Sequence, residues 1–312
     1  MSNFIVSIQA VTPMFLMLAI GLLVRKFKIL RDEELPHVNN LIFRVLFPFL
    51  MFTNVYNSDI SEAVNGKLIL FTIVAIVFVY SGALIFSLIV EKDNASRGAM
   101  IQAIYRSNFV IMGLPIVANI YGDSNLGMTA VMLSIVVPIY NILAVVTLET
   151  FRGTKVHLGK VLLGILKNPL ILGAAAGILA VLLRIQLPEI LEKTITGISS
   201  AATPMALIVL GASFRLSSIG PCRRNLIFCV AGRLLVVPGI CLTAAALLGF
   251  RDIAFVTLVA LFCTPCAVSS FTMAQQMDSD CELAANSVVF TSALACFTIF
   301  FWIFLFKQLG MF

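Results

Sequence analysis

Charge is scarce in this 312-residue chain: Asp, Glu, Lys and Arg make up 12% of it, beside 60% hydrophobic residues and a mean hydropathy of +1.06. Soluble domains carry about 25% charged and about 45–50% apolar residues, so a soluble globular fold is excluded. Histidine occurs only as His37 and His157, both between apolar runs. With no H-E-x-x-H, no G-x-S-x-G and no histidine within an apolar run, the chain lacks the catalytic sets of an intramembrane enzyme and is read as none. No cysteine precedes Cys222, and the seven in the second half, an odd number without paired spacings, make no disulfide framework. Cys263 and Cys266 form a C-x-x-C around Pro265, deep in an apolar run. A zinc site would need two further ligands, and a redox dithiol an accessible, stabilised thiolate. They read instead as small packing residues at a helix break, and no metal or cofactor is expected. Acids are missing from the middle of every apolar run, with Glu149, Asp278 and Glu282 at ends or in loops. This argues against a coupled antiporter built on paired carboxylates. Proton or sodium coupling stays open, with Asn141, Gln275, Asn286 and Ser292 as candidate sodium contacts, though ordinary interhelical hydrogen bonding is their plainer role.

What the chain has in abundance is long apolar runs. About 20 apolar residues cross a hydrocarbon core. Residues 4–24, 68–90, 124–148, 194–214, 253–277 and 283–306 do so without a charge. Four more runs carry one cation each: 38–58 (Arg44), 98–122 (Arg106), 161–183 (Lys167) and 225–250 (Arg233). The expectation is an all-α membrane protein of ten transmembrane helices. Residues 4–24 are too long for a signal-peptide core and lack a small-x-small cleavage site, so they read as the first span. With the N-terminus outside, Arg25, Lys26, Lys28, Arg31, Lys92, Arg97, Arg152, Lys155, Lys160, Arg215, Arg223 and Arg224 share one face. The other face holds Lys67, Arg184, Lys193 and Arg251. The positive-inside rule then puts both termini outside the cytoplasm of a multi-pass cell-membrane protein. Topology accounts for the net charge of +6, and nucleic acid is not a partner.

The chain also repeats itself. An offset of 156 aligns Pro13 with Pro169, Gly21 with Gly177, Lys28 with Arg184, Pro48 with Pro204 and Ala118 with Ala274. Residues 1–156 and 157–312 thus form two five-span repeats, and an odd span number inverts the second, as in many secondary transporters. The fourth span of each repeat carries helix-breaking residues: Asn108, Gly113 and Pro115 in one, Thr264, Pro265, Ser269 and Ser270 in the other. The offset sets Thr264 opposite Asn108. Pro115 suits a first helical turn, and Ser269 or Ser270 an N-cap. Half-helices starting there would aim positive dipole ends and free N–H groups at the crossing, a site for a small carboxylate. Arg106 is the cation for charge complementarity, unless it snorkels outward; Arg44 and Arg233 read as snorkelling or scaffold residues. Gly173 and Gly177 in "LGAAAGIL" form a G-x-x-x-G for close helix approach, within the subunit or across a homodimer.

These residues carry a family resemblance. "NFVIMGLP" from Asn108 to Pro115, Pro48 in the second span, "LETFRG" from Leu148 to Gly153, and the Pro265 break followed by "MAQQMDSDCELA" together resemble the auxin efflux carrier family. That family includes plant PIN-type auxin exporters and bacterial malate and malonate permeases. The likeness spans the chain, and without a long central loop it is similar to the bacterial branch. It implies a bile-acid-symporter-like fold in which spans four and nine cross as broken helices. Spans 1, 2, 6 and 7 would form a scaffold, and spans 3–5 and 8–10 a moving transport domain. It also implies that Asn108 contacts a substrate carboxylate, with Ser107 where PIN-type carriers have proline and Pro265 matching in span nine. The expected function is a secondary transporter of malate-, malonate- or auxin-like acids, working by alternating access of the elevator kind. An anion channel or a membrane sensor for carboxylates is the alternative.

Overall fold

The computed structural model describes residues 2–57, 65–122, 126–153 and 158–312, without side chains for residues 2–11, 158, 160, 161 and 216. Lys155, His157 and the repeat boundary after residue 156 lie outside the described residues. Helices account for nearly everything described: α1 (Ser2–Lys26), α2 (Leu35–Tyr56), α3 (Gly66–Val90), α4 (Asn94–Tyr105), α5 (Phe109–Tyr121), α6 (Gly127–Thr150) and α7 (Leu158–Lys167). They continue as α8 (Pro169–Leu182), α9 (Glu189–Ser213), α10 (Ile219–Leu247), α11 (Asp252–Cys263), α12 (Ser269–Gln276) and α13 (Cys281–Gln308). Among the described residues, α2, α3, α6, α9, α10 and α13 are long and apolar enough to cross a membrane. The shorter α5, α8 and α11 are apolar as well.

The chain writes many of its own helix starts. Asn65, Asp93, Asn168 and Asp280 each accept, through a side-chain oxygen, a backbone N–H of the first turn they precede. Each thereby satisfies one of the donors that a helix N-terminus leaves orphaned. Asn168 followed by Pro169 separates α7 from α8, since proline fits a first turn and cannot continue a preceding one.

Two helices widen locally. α2 makes a π turn over Ile42–Leu46, just before Pro48, and α10 makes one over Gly232–Val236, just before Pro238. A proline lacks the N–H that would bond the carbonyl four residues back. For Pro238 that carbonyl belongs to Leu234, and the indole N–H of Trp302 donates to it at 2.9 Å. In hydrocarbon such a freed carbonyl must find a protein partner.

Glycine sets two close helix crossings. A side chain at Gly21 would strike the backbone of Ile208, and one at Gly211 the backbone of Leu18, so α1 and α9 touch main chain to main chain. On α8, Gly173 meets the Pro48 backbone and Gly177 meets Phe52 and Val55 of α2. The G-x-x-x-G is therefore used within the chain. The α2–α8 and α1–α9 pairs are the most extensive helix contacts of the fold, and α9 also packs on α2.

Candidate functional site

Between α4 and α5 the chain leaves helical geometry for three residues, Arg106 to Asn108, and between α11 and α12 for Thr264 to Val268. The two gaps cross. Ser107 and Cys266 form an isolated antiparallel bridge, with the Asn108 N–H donating to the Pro265 carbonyl at 2.8 Å and the Ala267 N–H to the Arg106 carbonyl at 3.2 Å. The Cys266 N–H is taken by the Thr291 hydroxyl of α13 at 3.0 Å. Broken backbone at this depth persists because its polar groups are paired with protein.

Beneath the crossing lies Arg233, fully buried on the π turn of α10. Its Nε donates to the Thr264 carbonyl at 2.9 Å. Its Nη1 donates to Ile104 (3.3 Å) and Tyr105 (3.0 Å), and its Nη2 to Leu261 (3.2 Å) and Phe262 (2.6 Å). A guanidinium has five N–H groups, and all five are used. The acceptors are carbonyls that the ends of α4 and α11 leave unpaired, and a cation there also meets the negative ends of both dipoles. Of the two roles expected for Arg233, snorkelling is corrected and a structural one holds: buried, it staples the two helix C-termini together.

The opposite side of the crossing opens on a small cleft of about 50 Å³. The first turns of α5 and α12 border it through Asn108, Val110, Val268 and Ser269. α2 contributes Phe47, Met51 and Asn54, α6 contributes Tyr140 and Asn141, and α9 contributes Thr203. Among the described residues its one charged member is Arg106, 3% exposed. The guanidinium donates to Asn141 Oδ1, to Gln102 Oε1 at 3.2 Å and to the Met273 sulfur, a weak acceptor. No carboxylate pairs with it among the described residues. A buried cation so placed, next to two positive helix ends, is an incomplete charge arrangement that a bound anion would complete. The Asn54 side-chain nitrogen, also buried, has no partner among the described residues.

Of the residues expected from sequence, Arg106, Ser107, Asn108 and Ser269 line the cleft. Arg106 does not snorkel. Ser107 bonds the Tyr140 hydroxyl at 3.3 Å, and among the described residues the Asn108 amide nitrogen meets only the Met14 sulfur, at 3.5 Å. Thr264 and Pro265 belong to the break but lie behind the cleft, where Thr264 is fully buried. Ser270, though buried at the start of α12, does not line it.

Three expectations are corrected. Pro115 does not open a helix: α5 begins at Phe109, and Pro115 sits inside it. Gly113 marks no break either; a Cβ there would lie 2.5 Å from the Phe109 ring, so it makes room for that ring. Val268 precedes α12 with no side-chain cap, so neither Ser269 nor Ser270 is an N-cap. α4 and α11 are both twelve residues long and end at Tyr105 and Cys263, so Arg106 and Thr264 are the first residues past their ends.

Sequence reasoning missed Asn54, Tyr140 and Thr203 in the cleft wall. It named Asn141 only as a candidate sodium contact. Thr203 directly precedes Pro204 and Asn54 lies six residues after Pro48, positions near a proline being the signal that could have drawn attention to these two. Cys263 and Cys266 are free and fully buried in the crossing.

Comparison with known proteins bears on this arrangement. The profile of a family described as membrane transport protein matches residues 6–157 and 152–303. An uncharacterized transporter of Methanocaldococcus jannaschii is 22% identical over 310 residues, 95% of this chain and 98% of the relative. A "Putative malonate transporter" of Rhizobium meliloti is 23% identical, covering 93% of this chain and 92% of the relative. An uncharacterized transporter of Methanothermobacter thermautotrophicus is 22% identical over 96% of this chain and 98% of its own.

Proposed function

We propose that this chain, which belongs to the membrane transport protein family, carries small organic anions across the cell membrane by alternating access. The observation that carries the anion reading is Arg106: a buried guanidinium with no carboxylate partner among the described residues, at a cleft rimmed by two helix N-termini. Those N-termini and the Asn108 and Asn54 amides would hold a carboxylate by dipoles and hydrogen bonds, with Arg106 supplying the countercharge. Asn108, Arg106, Ser107 and Ser269 are the substrate contacts in this reading. Thr264, Pro265 and Ser270 shape the second break, and Gly113 and Pro115 support the first helix behind it.

The architecture is ten spans in two inverted five-helix repeats, 1–156 and 157–312. Three spans are then helix pairs, α4–α5, α7–α8 and α11–α12. Equal lengths of α4 and α11 and the antiparallel crossing of their breaks support this reading. The α1–α9 and α2–α8 pairs, with α9 on α2, form the scaffold. The remaining helices form a transport domain that slides against it in elevator fashion, both termini lying outside the cytoplasm. The cleft sits on the boundary between these two bodies, where relative motion would switch its exposure.

The relative named for malonate makes three- and four-carbon dicarboxylates the first substrates to try. Purified protein in proteoliposomes should take up labelled malonate or malate with saturation, and added proton or sodium gradients will reveal coupling. Absence of saturable uptake for every small mono- and dicarboxylate tested, or a large ohmic current in its place, would overturn the carrier reading.

A further inference from the structure

A second polar recess, of about 450 Å³, lies between α2, α6, the α7–α8 junction and the end of α12. Its wall carries three cations: Arg44, Arg152 and Lys167. Arg152 is engaged, with Asp278 at 2.8 Å and Glu149 at 3.5 Å. Glu149 occupies space that Gly164 leaves free, since a Cβ there would sit 2.5 Å from its carboxyl carbon. Arg44 and Lys167 make no ion pair among the described residues, and both are exposed. With Glu149 and Asp278 both set against Arg152, the three cations still leave the recess a net positive charge.

Three helices relate this recess to the cleft in the same sense. On α2, Phe43 lines the recess and Phe47 the cleft, one turn or about 6 Å along the axis. At the end of α12, Met273 touches Arg106 while Met277, four residues on, lines the recess. On α6, Asn141 faces the cleft and Glu149 the recess, eight residues or about 12 Å apart. Phe43 and Phe47 on α2, and Met273 and Met277 at the end of α12, step from one to the other, and all four are buried. The recess, at about 450 Å³, is several times larger than the cleft, at about 50 Å³.

We propose that the recess is an anion-collecting vestibule of the central cleft, on the face bearing the basic loops, closed from it by a Phe43, Phe47, Met273 and Met277 partition. Its ligand class is the small oxyanion, carboxylate or phosphate. This rests on the reading of the cleft as the anion site. Free cations at a low-dielectric wall raise the local anion concentration and speed loading, an effect that salt removes.

The test is sided transport of labelled malonate in right-side-out and inside-out vesicles, comparing wild type, Lys167→Gln/Arg44→Gln and Arg106→Gln. Phosphate serves as competitor, to separate a general oxyanion site from a carboxylate-selective one. At low salt the double variant should raise KM about 3–10-fold for malonate offered at the basic face, with KM from the other face unchanged and the difference gone at high salt. Lys167→Glu should raise it further. KM unchanged at both faces, or raised equally at both, overturns the vestibule. Arg106→Gln separates the two readings: a dead Arg106→Gln beside an unaffected double variant sinks the vestibule alone, whereas a fully active Arg106→Gln sinks the cleft assignment.

Discussion

Ser107 and Cys266, on different halves of the sequence, pair as an isolated antiparallel bridge where two helix gaps cross. Each gap supplies the backbone partner the other lacks, through Asn108 to Pro265 and Ala267 to Arg106. The crossing sorts helix ends by polarity. The carboxyl ends of α4 and α11 face Arg233, and the amino ends of α5 and α12 border the cleft. Negative dipole ends are neutralised on one side, which leaves the positive ends unopposed on the other.

Arg233→Met should destabilise the folded protein severely. It removes all five guanidinium bonds and strands buried carbonyls, each costing about 1–3 kcal/mol when unsatisfied. Detergent-solubilised protein should melt well below wild type, with Arg233→Lys falling between the two because an ammonium has three donors. A melting temperature equal to wild type in Arg233→Met would remove the staple from the account.

Acid should weaken the loop face through Glu91. Its carboxyl, 14% exposed, accepts the backbone N–H of Asp93 at 3.0 Å and of Lys92 at 2.7 Å, and is met by Asn225 and Arg224 of α10. The Asp93 N–H first, then the Asn225 amide, the Lys92 N–H and the Arg224 charge, hold its pKa at about 2 against an ordinary 4.5, while partial burial works the other way. A depressed carboxyl contributes stability that is whole above about pH 4.5 and is lost as pH falls through about 2. Glu91→Gln should be less stable than wild type at neutral pH, and the gap should close on acidification. A gap that stays constant from pH 7 to pH 3 would contradict this.

Gly173→Val should drive α8 off the Pro48 backbone, because no side-chain movement relieves a clash with main chain. The expected outcome is loss of monodisperse protein after extraction. Gly66→Val, at a site with open space around it, is the matched control and should behave as wild type.

Much of this was written locally in the sequence. The apolar runs, the Pro265 break and the Gly173 and Gly177 spacing are each a property of a short stretch, so reading them needs no knowledge of distant contacts. The extent of the breaks was not local. Pro115 and Gly113 look like breakers, yet α5 runs through both, because proline's missing N–H and a ring-sized gap are tolerated within a packed helix. Arg233 could not be read from its neighbours at all. Its five acceptors come from residues 104–105 and 261–264, so its role exists only once the halves are interlocked. The cleft wall followed the same rule: Asn108 stood beside a recognisable break, whereas Asn54 and Thr203 reach it only through helix packing.

The central claim is that the Arg106 charge is completed by a carboxylate. The direct measurement is calorimetric binding at low salt of whichever dicarboxylate gives the largest uptake, to wild type, Arg106→Lys and Arg106→Gln of matched melting temperature. Affinity should fall about 10–100-fold in Arg106→Gln, as loss of hydrogen bonds to a charged group requires, with Arg106→Lys in between. Undiminished affinity in folded Arg106→Gln would contradict the account.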